Sequence, residues 1–241
     1  MRDGVAWLTL ARPTTRNRLD AEMLGALVEA CAVAEDAAEA RVVVLAARGP
    51  AFSVGLPAAR AWPEAGWPDG IGALAALGKP VVVALAGEAR GWGVALALAG
   101  DLRLAARGAV LALPEARGGR LPGGGITQRL ARMVGPARAL ELLLVRQRLT
   151  ATQASDWGLV SAVVPGARLA AVVAETARTL SARGPIALRF AKEAVNRALD
   201  LPLDEGMRLE HDLYVLLQTT EDRREGVRAF LERRKPQFHG R

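Results

Sequence analysis

Few side chains in this sequence can move a proton, and the foremost is Glu115. It follows a short apolar run, Val110 to Leu113, and precedes the glycine clusters Gly118-Gly119 and Gly123-Gly124-Gly125. That spacing predicts a carboxylate at a strand end beside a glycine-lined surface. A carboxylate in an apolar pocket has a raised pKa and can pass a proton near neutrality. A surface glutamate in a loop is the plainer reading. The second feature is Gly91-Trp92-Gly93, between the β-branched run Val81 to Ala86 and an Ala/Leu-rich segment, Val94 to Ala99. Strand, glycine turn and helix aim the N–H groups of a helix start at one point, where an anion or a developing oxyanion is stabilised. A tight turn in an α/β core has the same pattern. Glu88, Arg90 and Arg117 read as loop charges, and Asp101 as a turn anchor.

Other chemistries lack their residues. Cys31 is the only cysteine, and His211 and His239 are the only histidines. This predicts no disulfide, no thiolate or multi-histidine metal site and no Ser-His-Asp system. The formal charge is +7, carried almost wholly by scattered arginines. The single dense basic run is Arg233-Arg234-Lys235, so the charge suits phosphates on a small molecule better than nucleic acid. No apolar run reaches the ~18 residues needed to cross a bilayer. Arg12-Pro13 interrupts the apolar N-terminal segment, so no secretory signal is read and the cytoplasm is the expected location.

The elements that must position these residues follow from periodicity. Gly4 to Leu10 alternates like an edge strand. Asp20 is placed to cap a helix whose inward face is Met23, Leu24, Leu27, Val28 and Cys31. Val42 to Ala46 and Val81 to Ala86 are continuous apolar runs, as in strands buried on both faces. Residues 57–78, with prolines, glycines, Trp62 and Trp67, read as a loop with at most one short helix. Further strands are expected at Leu102 to Ala105, Val110 to Leu113 and Leu159 to Val164. Alternating strands and helices predict a right-handed β-α-β wind. Pro136 starts a helix through Val145, and Thr150 to Gln153 has the spacing of a capping box. Leu169 to Leu180, Ile186 to Leu199, Glu205 to Gln218 and Glu221 to Arg233 all read as helices. In the later ones Leu209, Leu213, Leu216 and Leu217 form an apolar face that one domain does not cover.

Most of the chain resembles the enoyl-CoA hydratase/isomerase, or crotonase, family. The resemblance rests on pieces in the family's order. They are Arg12-Pro13 with Asn17, Ala51-Phe-Ser-Val-Gly55, Lys79-Pro-Val, Gly91-Trp-Gly93, Gly100-Asp-Leu-Arg103, Pro114-Glu115, Pro122-Gly-Gly-Gly125 with Thr127-Gln-Arg-Leu130, Ala154-Ser-Asp-Trp-Gly-Leu-Val160, Ala191-Lys-Glu-Ala194 and Thr220-Glu-Asp with Glu225-Gly226. Each piece alone is weak and the set is specific. The first strand of the family's usual hairpin has no counterpart, and the 57–78 loop is short.

The resemblance implies an α/β fold, a crotonase-like ββα spiral with a helical C-terminal trimerisation region. Residues 1–182 would form the spiral core and residues 183–241 the helical region that oligomerises and covers the pocket. It implies homotrimers, often paired into dimers of trimers; one branch of the family interacts with RNA, but the scattered charge predicts no partner nucleic acid here, and the lack of a long apolar run predicts no membrane. The substrate would be an acyl-CoA thioester, with coenzyme A entering as part of it and no permanently bound cofactor or metal. By position, the backbone N–H groups of Leu56 and Trp92 would hold the thioester oxygen as it becomes an enolate. Arg16 and Lys235 would meet coenzyme A, Lys235 from its own or a neighbouring subunit. Trp92 replaces the family's usual glycine, which predicts strain if that position needs a left-handed backbone. Pro57 replaces an aspartate. The family's hydratases use two carboxylates: one aligns with Glu115, the other with Ala95. A double-bond shift from 3-enoyl-CoA to 2-enoyl-CoA needs only one acid/base, so the expected activity is isomerisation. The alternatives are a hydratase in the broad sense, with Glu88 as displaced acid, and an acyl-CoA-binding relative without turnover.

Overall fold

The computed structural model describes residues 3–57 and 65–241. Trp62 and the middle of the 57–78 loop lie outside the described residues. Nine strands form two sheets among them. The larger runs β1 (Val5–Leu10), β2 (Val42–Ala47), β4 (Val81–Leu85), β6 (Leu102–Ala106) and β9 (Ala162–Val164), all parallel neighbours. The smaller runs β3 (Ala51–Ser53), β5 (Glu88–Arg90), β7 (Val110–Ala112) and β8 (Arg148–Thr150). Three successive turns, β2-β3-α2 (Gly70–Ala75), β4-β5-α3 (Trp92–Leu98) and β6-β7-α4 (Ile126–Val134), each place one strand in the larger sheet, the next in the smaller, and then a helix. That is the ββα spiral.

Unbroken apolar runs are what a sheet covered on both faces requires. In β2 every residue from Val42 to Leu45 is fully buried. Val43 and Leu45 face one core with Val81, Val83 and Leu85. Val42 and Val44 face the other with Val82, Leu104 and helix α7 (Leu169–Ser181) through Val173 and Ala177. A fully buried valine or leucine contributes ~1.5–3 kcal/mol over an exposed one, so this double layer dominates the fold's stability.

Helix α1 (Ala21–Asp36) starts at Asp20, whose carboxylate accepts the Met23 N–H at 2.9 Å, and it buries Met23, Leu24, Leu27 and Cys31. At its far end the Lys79 ammonium donates to the carbonyls of Ala34, Glu35 and Ala37 at 2.7–2.8 Å, capping orphaned acceptors. Helix α2 (Gly70–Ala75) is the one short helix of the 57–78 region among the described residues. Helix α3 (Trp92–Leu98) begins two residues before the predicted start and is buried almost throughout. Beyond it, α4 (Ile126–Val134) and α5 (Pro136–Leu140) lead into a π-helical stretch, Glu141–Arg146, and α6 (Ala151–Asp156) opens on the expected Thr150–Gln153 capping box. Asp101 anchors the turn as expected, accepting the Val81 N–H at 2.7 Å and the Lys192 ammonium at 2.8 Å.

Some expectations are corrected. Glu88 and Arg90 lie in a strand, not a loop, and β8 was not read as a strand. Its pairing with β7 is antiparallel, so the wind is not parallel throughout. The last strand is shorter than Leu159 to Val164; Leu159 and Val160 are core residues ahead of it. Helices α8 (Pro185–Arg197), α9 (Leu203–Gln218) and α10 (Glu221–Leu231) close the chain. On α9, Leu213 packs inward, while Leu203, Met207, Tyr214 and Leu216 are each more than half exposed. The uncovered apolar face therefore overlaps the one that spacing picked out at Leu216, while Leu213 is buried and Leu209 and Leu217 are half-buried.

Candidate active site

Three strand exits build the site. β3, β5 and β7 are parallel neighbours, so their C-terminal ends share one edge. The chain leaves them as Val54-Gly55-Leu56, Gly91-Trp92 and Leu113-Pro114-Glu115. Leu56, Gly91, Trp92 and Glu115 consequently line one cleft of about 390 Å³, with Arg16, Arg18, Arg90 and Arg120 around it.

Glycines permit the approach of these exits. A Cβ on Gly55 would stand 2.6 Å from the Arg90 carbonyl oxygen and 2.9 Å from the Trp92 nitrogen, and one on Gly93 would overlap the Ser53 carbonyl oxygen. Gly91 turns the chain into α3 with φ +51° and ψ −118°, and a Cβ there would overlap Glu115 Oε1. The conformation that L residues avoid thus falls on Gly91. Trp92 is helical and absent from the positive-φ residues, so the expected strain is not present. The Gly91 carbonyl accepts the N–H groups of Val94 and Ala95 at 2.8 and 3.2 Å. Carbonyl and N–H oppose each other in a trans peptide, so the Trp92 N–H points away from the helix body. The Leu56 N–H has no hydrogen-bond acceptor among the described residues. Leu56 and Trp92 both line the cleft, and Gly55, just before Leu56, packs against the Trp92 nitrogen.

Among the described residues, Glu115 is the only carboxylate that lines the cleft. Its Oε2 is buried with no hydrogen-bond partner among the described residues. Burial pushes the carboxyl above the ordinary glutamate range, against the pull of the Arg120 and Arg90 guanidinium groups. Most buried polar atoms have a partner, and one that lacks it demands an explanation.

Ala95 has a different environment. It is fully buried, and it lines neither this cleft nor the cavity behind it. An added Cβ on Gly124 would stand 2.8 Å from Ala95 Cβ, 3.2 Å from Ile71 Cδ1 and 3.3 Å from the Trp92 ring. Trp92 lines both the cleft and that second cavity, the latter with Trp67, Pro68, Ile71 and Arg129. Glu88 is no substitute for an acid at 95. It lies outside the cleft lining and pairs with Arg16 at 2.5 Å. Arg16 lines the cleft; Lys235 is exposed and does not. Arg18, Arg90 and Arg120 line it without an ion pair among the described residues.

Sequence reasoning missed one polar network. Asn17 and Ser53 are both fully buried. Asn17 accepts the Arg12 N–H and donates to the carbonyls of Arg48 and Ala51, each at 2.9 Å. Asn17 stands in the Arg12-Pro13 motif, but the motif gives no sign of what its side chain touches. Its left-handed φ of +54° fits a residue type that tolerates that region.

Comparison with known proteins adds the lineage. A family model described as "Enoyl-CoA hydratase/isomerase" matches residues 1–241. A probable enoyl-CoA hydratase of Mycobacterium bovis is 37% identical over 97% of this chain and 94% of its own length. An enoyl-CoA isomerase/hydratase of Mycosarcoma maydis is 36% identical, covering 99% and 93%. The crystal structure of an enoyl-CoA hydratase from Bacillus anthracis superposes with TM-score 0.93 at 34% identity, over 99% of this chain and 96% of that one.

Proposed function

The chain belongs to the enoyl-CoA hydratase/isomerase family, whose enzymes act on CoA thioesters without a permanent cofactor, and from that premise we propose that it shifts a double bond from 3-enoyl-CoA to 2-enoyl-CoA. Glu115 takes the C2 proton as its C–H bond breaks. The electron pair moves onto the thioester oxygen, held by the N–H groups of Leu56 and Trp92. One such donor is typically worth ~3–4 kcal/mol of barrier. The dienolate then takes a proton at C4 from protonated Glu115, and the double bond settles between C2 and C3. The carboxylate ends as it began.

The observation that carries this reading is a single carboxylate among the described residues of the cleft: Glu115 Oε2 is buried and without a partner among them, while the position of a second acid is a buried alanine. Hydration needs a water oriented and activated over C3, and Ala95 can do neither. The relatives' names favour hydration, since most of them say hydratase. Hydratase activity is therefore the second reading.

Arg16, with the unpaired arginines of the cleft, meets the coenzyme A phosphates. Lys235 adds to this from a neighbouring subunit. The apolar faces of α8 to α10 build a homotrimer or a dimer of trimers, covering such exposed residues as Leu203, Met207, Tyr214 and Phe230. A mass-spectrometric screen against 3-enoyl- and 2-enoyl-CoA thioesters of several lengths tests the reading. Isomerised product from 3-enoyl-CoA is expected; hydrated product alone would overturn it.

A further inference from the structure

The Leu56 N–H points where it does because its own peptide is held from behind. The carbonyl of that peptide, on Gly55, accepts the Leu19 N–H at 2.8 Å. Leu19 is fully buried in the core. The described chain contains no cis peptide bond, so the N–H opposes the carbonyl and is directed away from Leu19, toward the cleft that Leu56 lines. One bond fixes an axis but not a rotation about it. The second restraint acts one peptide earlier: the Ser53 hydroxyl accepts the Gly55 N–H, which belongs to the Val54–Gly55 peptide, at 3.1 Å and donates to the Asn17 carbonyl at 2.7 Å. Asn17 is in turn clamped by the three side-chain bonds described above, to backbone of Arg12, Arg48 and Ala51. Asn17, Ser53, Gly55 and Leu19 thus close a ring that holds Gly55 on both sides, by the N–H of the peptide before it and the carbonyl of the peptide after it.

We propose that Ser53 is a positioning residue: its hydroxyl, fixed by Asn17, holds Gly55 by its N–H and so limits the rotation of the following Gly55–Leu56 peptide, which sets the aim of the donor that receives the enolate oxygen. Ser53 is fully buried and does not line the cleft, so it touches no substrate. Packing alone does not call for a hydroxyl in that place, and a serine that bonds local backbone on both sides is a geometric device. Gly55 has φ +75° and no side chain to resist rotation, which makes an external restraint necessary. Preorganised donors must meet the oxygen's position in the enolate, and a misplacement near 1 Å costs up to ~10²-fold.

The inference rests on the thioester-enolate reading, and the test separates the two. Acetoacetyl-CoA enolises when a site stabilises its thioester oxygen as an anion, and the bound enolate has its own ultraviolet absorbance. This readout needs no turnover. Ser53→Ala should lower the bound enolate signal at saturating ligand about tenfold, with hexanoyl-CoA affinity within twofold of wild type. In turnover the loss should fall on kcat, with KM little changed. Ser53→Cys, which nearly keeps the volume and has a weak donor and acceptor, should lie between. Val82→Ala, a small cavity in the other core, lowers Tm and should leave the enolate signal intact. A Ser53→Ala or Ser53→Cys protein with the full enolate signal overturns the proposal, as does equal loss in Val82→Ala. Loss of hexanoyl-CoA affinity in step with the enolate signal also overturns it. Absence of isomerase turnover in wild type, with the enolate signal present, would instead count against the proposed reaction alone.

Discussion

Glu115 and Ala95 stand on the two sides of the turn at Gly91, and their surroundings could hardly differ more. Glu115 lines the cleft together with Leu56 and Trp92, and one of its carboxylate oxygens is buried with no partner among the described residues. Ala95 is sealed among Gly124, Ile71 and the Trp92 ring and reaches neither cavity. The difference teaches how one fold divides two reactions. Moving a proton along an acyl chain needs one basic group at the enolate; adding water needs a second group and room for the water. Here Ala95 is fully buried and lines neither cavity, which predicts that restoring a carboxylate by substitution alone brings no hydration.

The sharpest break in that comparison is at Glu115. Glu115→Gln keeps the shape and removes the base, so isomerase activity should fall by ~10² or more. Thioester binding, measured by calorimetry, should persist because the peptide donors remain. Full activity in the Gln protein would remove Glu115 from the mechanism.

On the other side, Ala95→Glu forces a charged side chain into a filled, apolar site. An uncompensated buried charge costs ~3–5 kcal/mol, so a drop in denaturation midpoint is expected with no gain in crotonyl-CoA hydration. A stable variant with new hydratase activity would mean that the site is more open than its packing indicates.

The pH dependence sharpens the contrast further. Burial raises the Glu115 pKa above its ordinary value near 4.5. The folded protein therefore holds this proton more tightly than the unfolded chain. Its contribution is fully present below the ordinary value and is lost as pH rises through the raised one. The Gln protein lacks this loss, so its Tm advantage over wild type should grow from about pH 4 upward. The acid limb of kcat/KM should likewise titrate above the ordinary glutamate range. A Tm difference that is flat across this range would contradict the burial of Glu115.

Assembly gives the smallest effect on the comparison itself. Charge clusters at the cleft, whereas α8 to α10 expose apolar side chains such as Leu203 and Phe230. Light scattering at micromolar concentration should report a trimer or a dimer of trimers, and a monomer would contradict it. Lys235→Glu at low salt should weaken coenzyme A binding only if a neighbour's tail reaches the cleft.

How far the sequence alone reached depends on what each element uses. The larger sheet was legible because β2 and β4 are buried on both faces, which forces unbroken runs of valine and leucine. β5 and β8 were not legible. Each has three residues, charged at one or both ends, and is held by register with neighbours, not by an apolar pattern. Glu115 was legible by residue type and by its glycine surroundings. Leu56 and Trp92 were named only through family resemblance, because a backbone donor has no side-chain signature. The Asn17–Ser53 ring was invisible for a related reason. Its partners are main-chain groups brought together from residues 12, 48, 51 and 55 by the fold. The closure around Ala95 needed Gly124 and Ile71, far along the chain in both directions.

The central claim is that one carboxylate relocates a proton and that no second group activates water. The most direct measurement compares wild-type protein on 3-hexenoyl-CoA and on crotonyl-CoA under one set of conditions, following isomerised and hydrated products separately. Turnover of 3-hexenoyl-CoA to the 2-enoyl product at enzymatic rates, with crotonyl-CoA hydration at least about 10²-fold slower, is the predicted result. Hydration of crotonyl-CoA at a rate equal to or above isomerisation would contradict it.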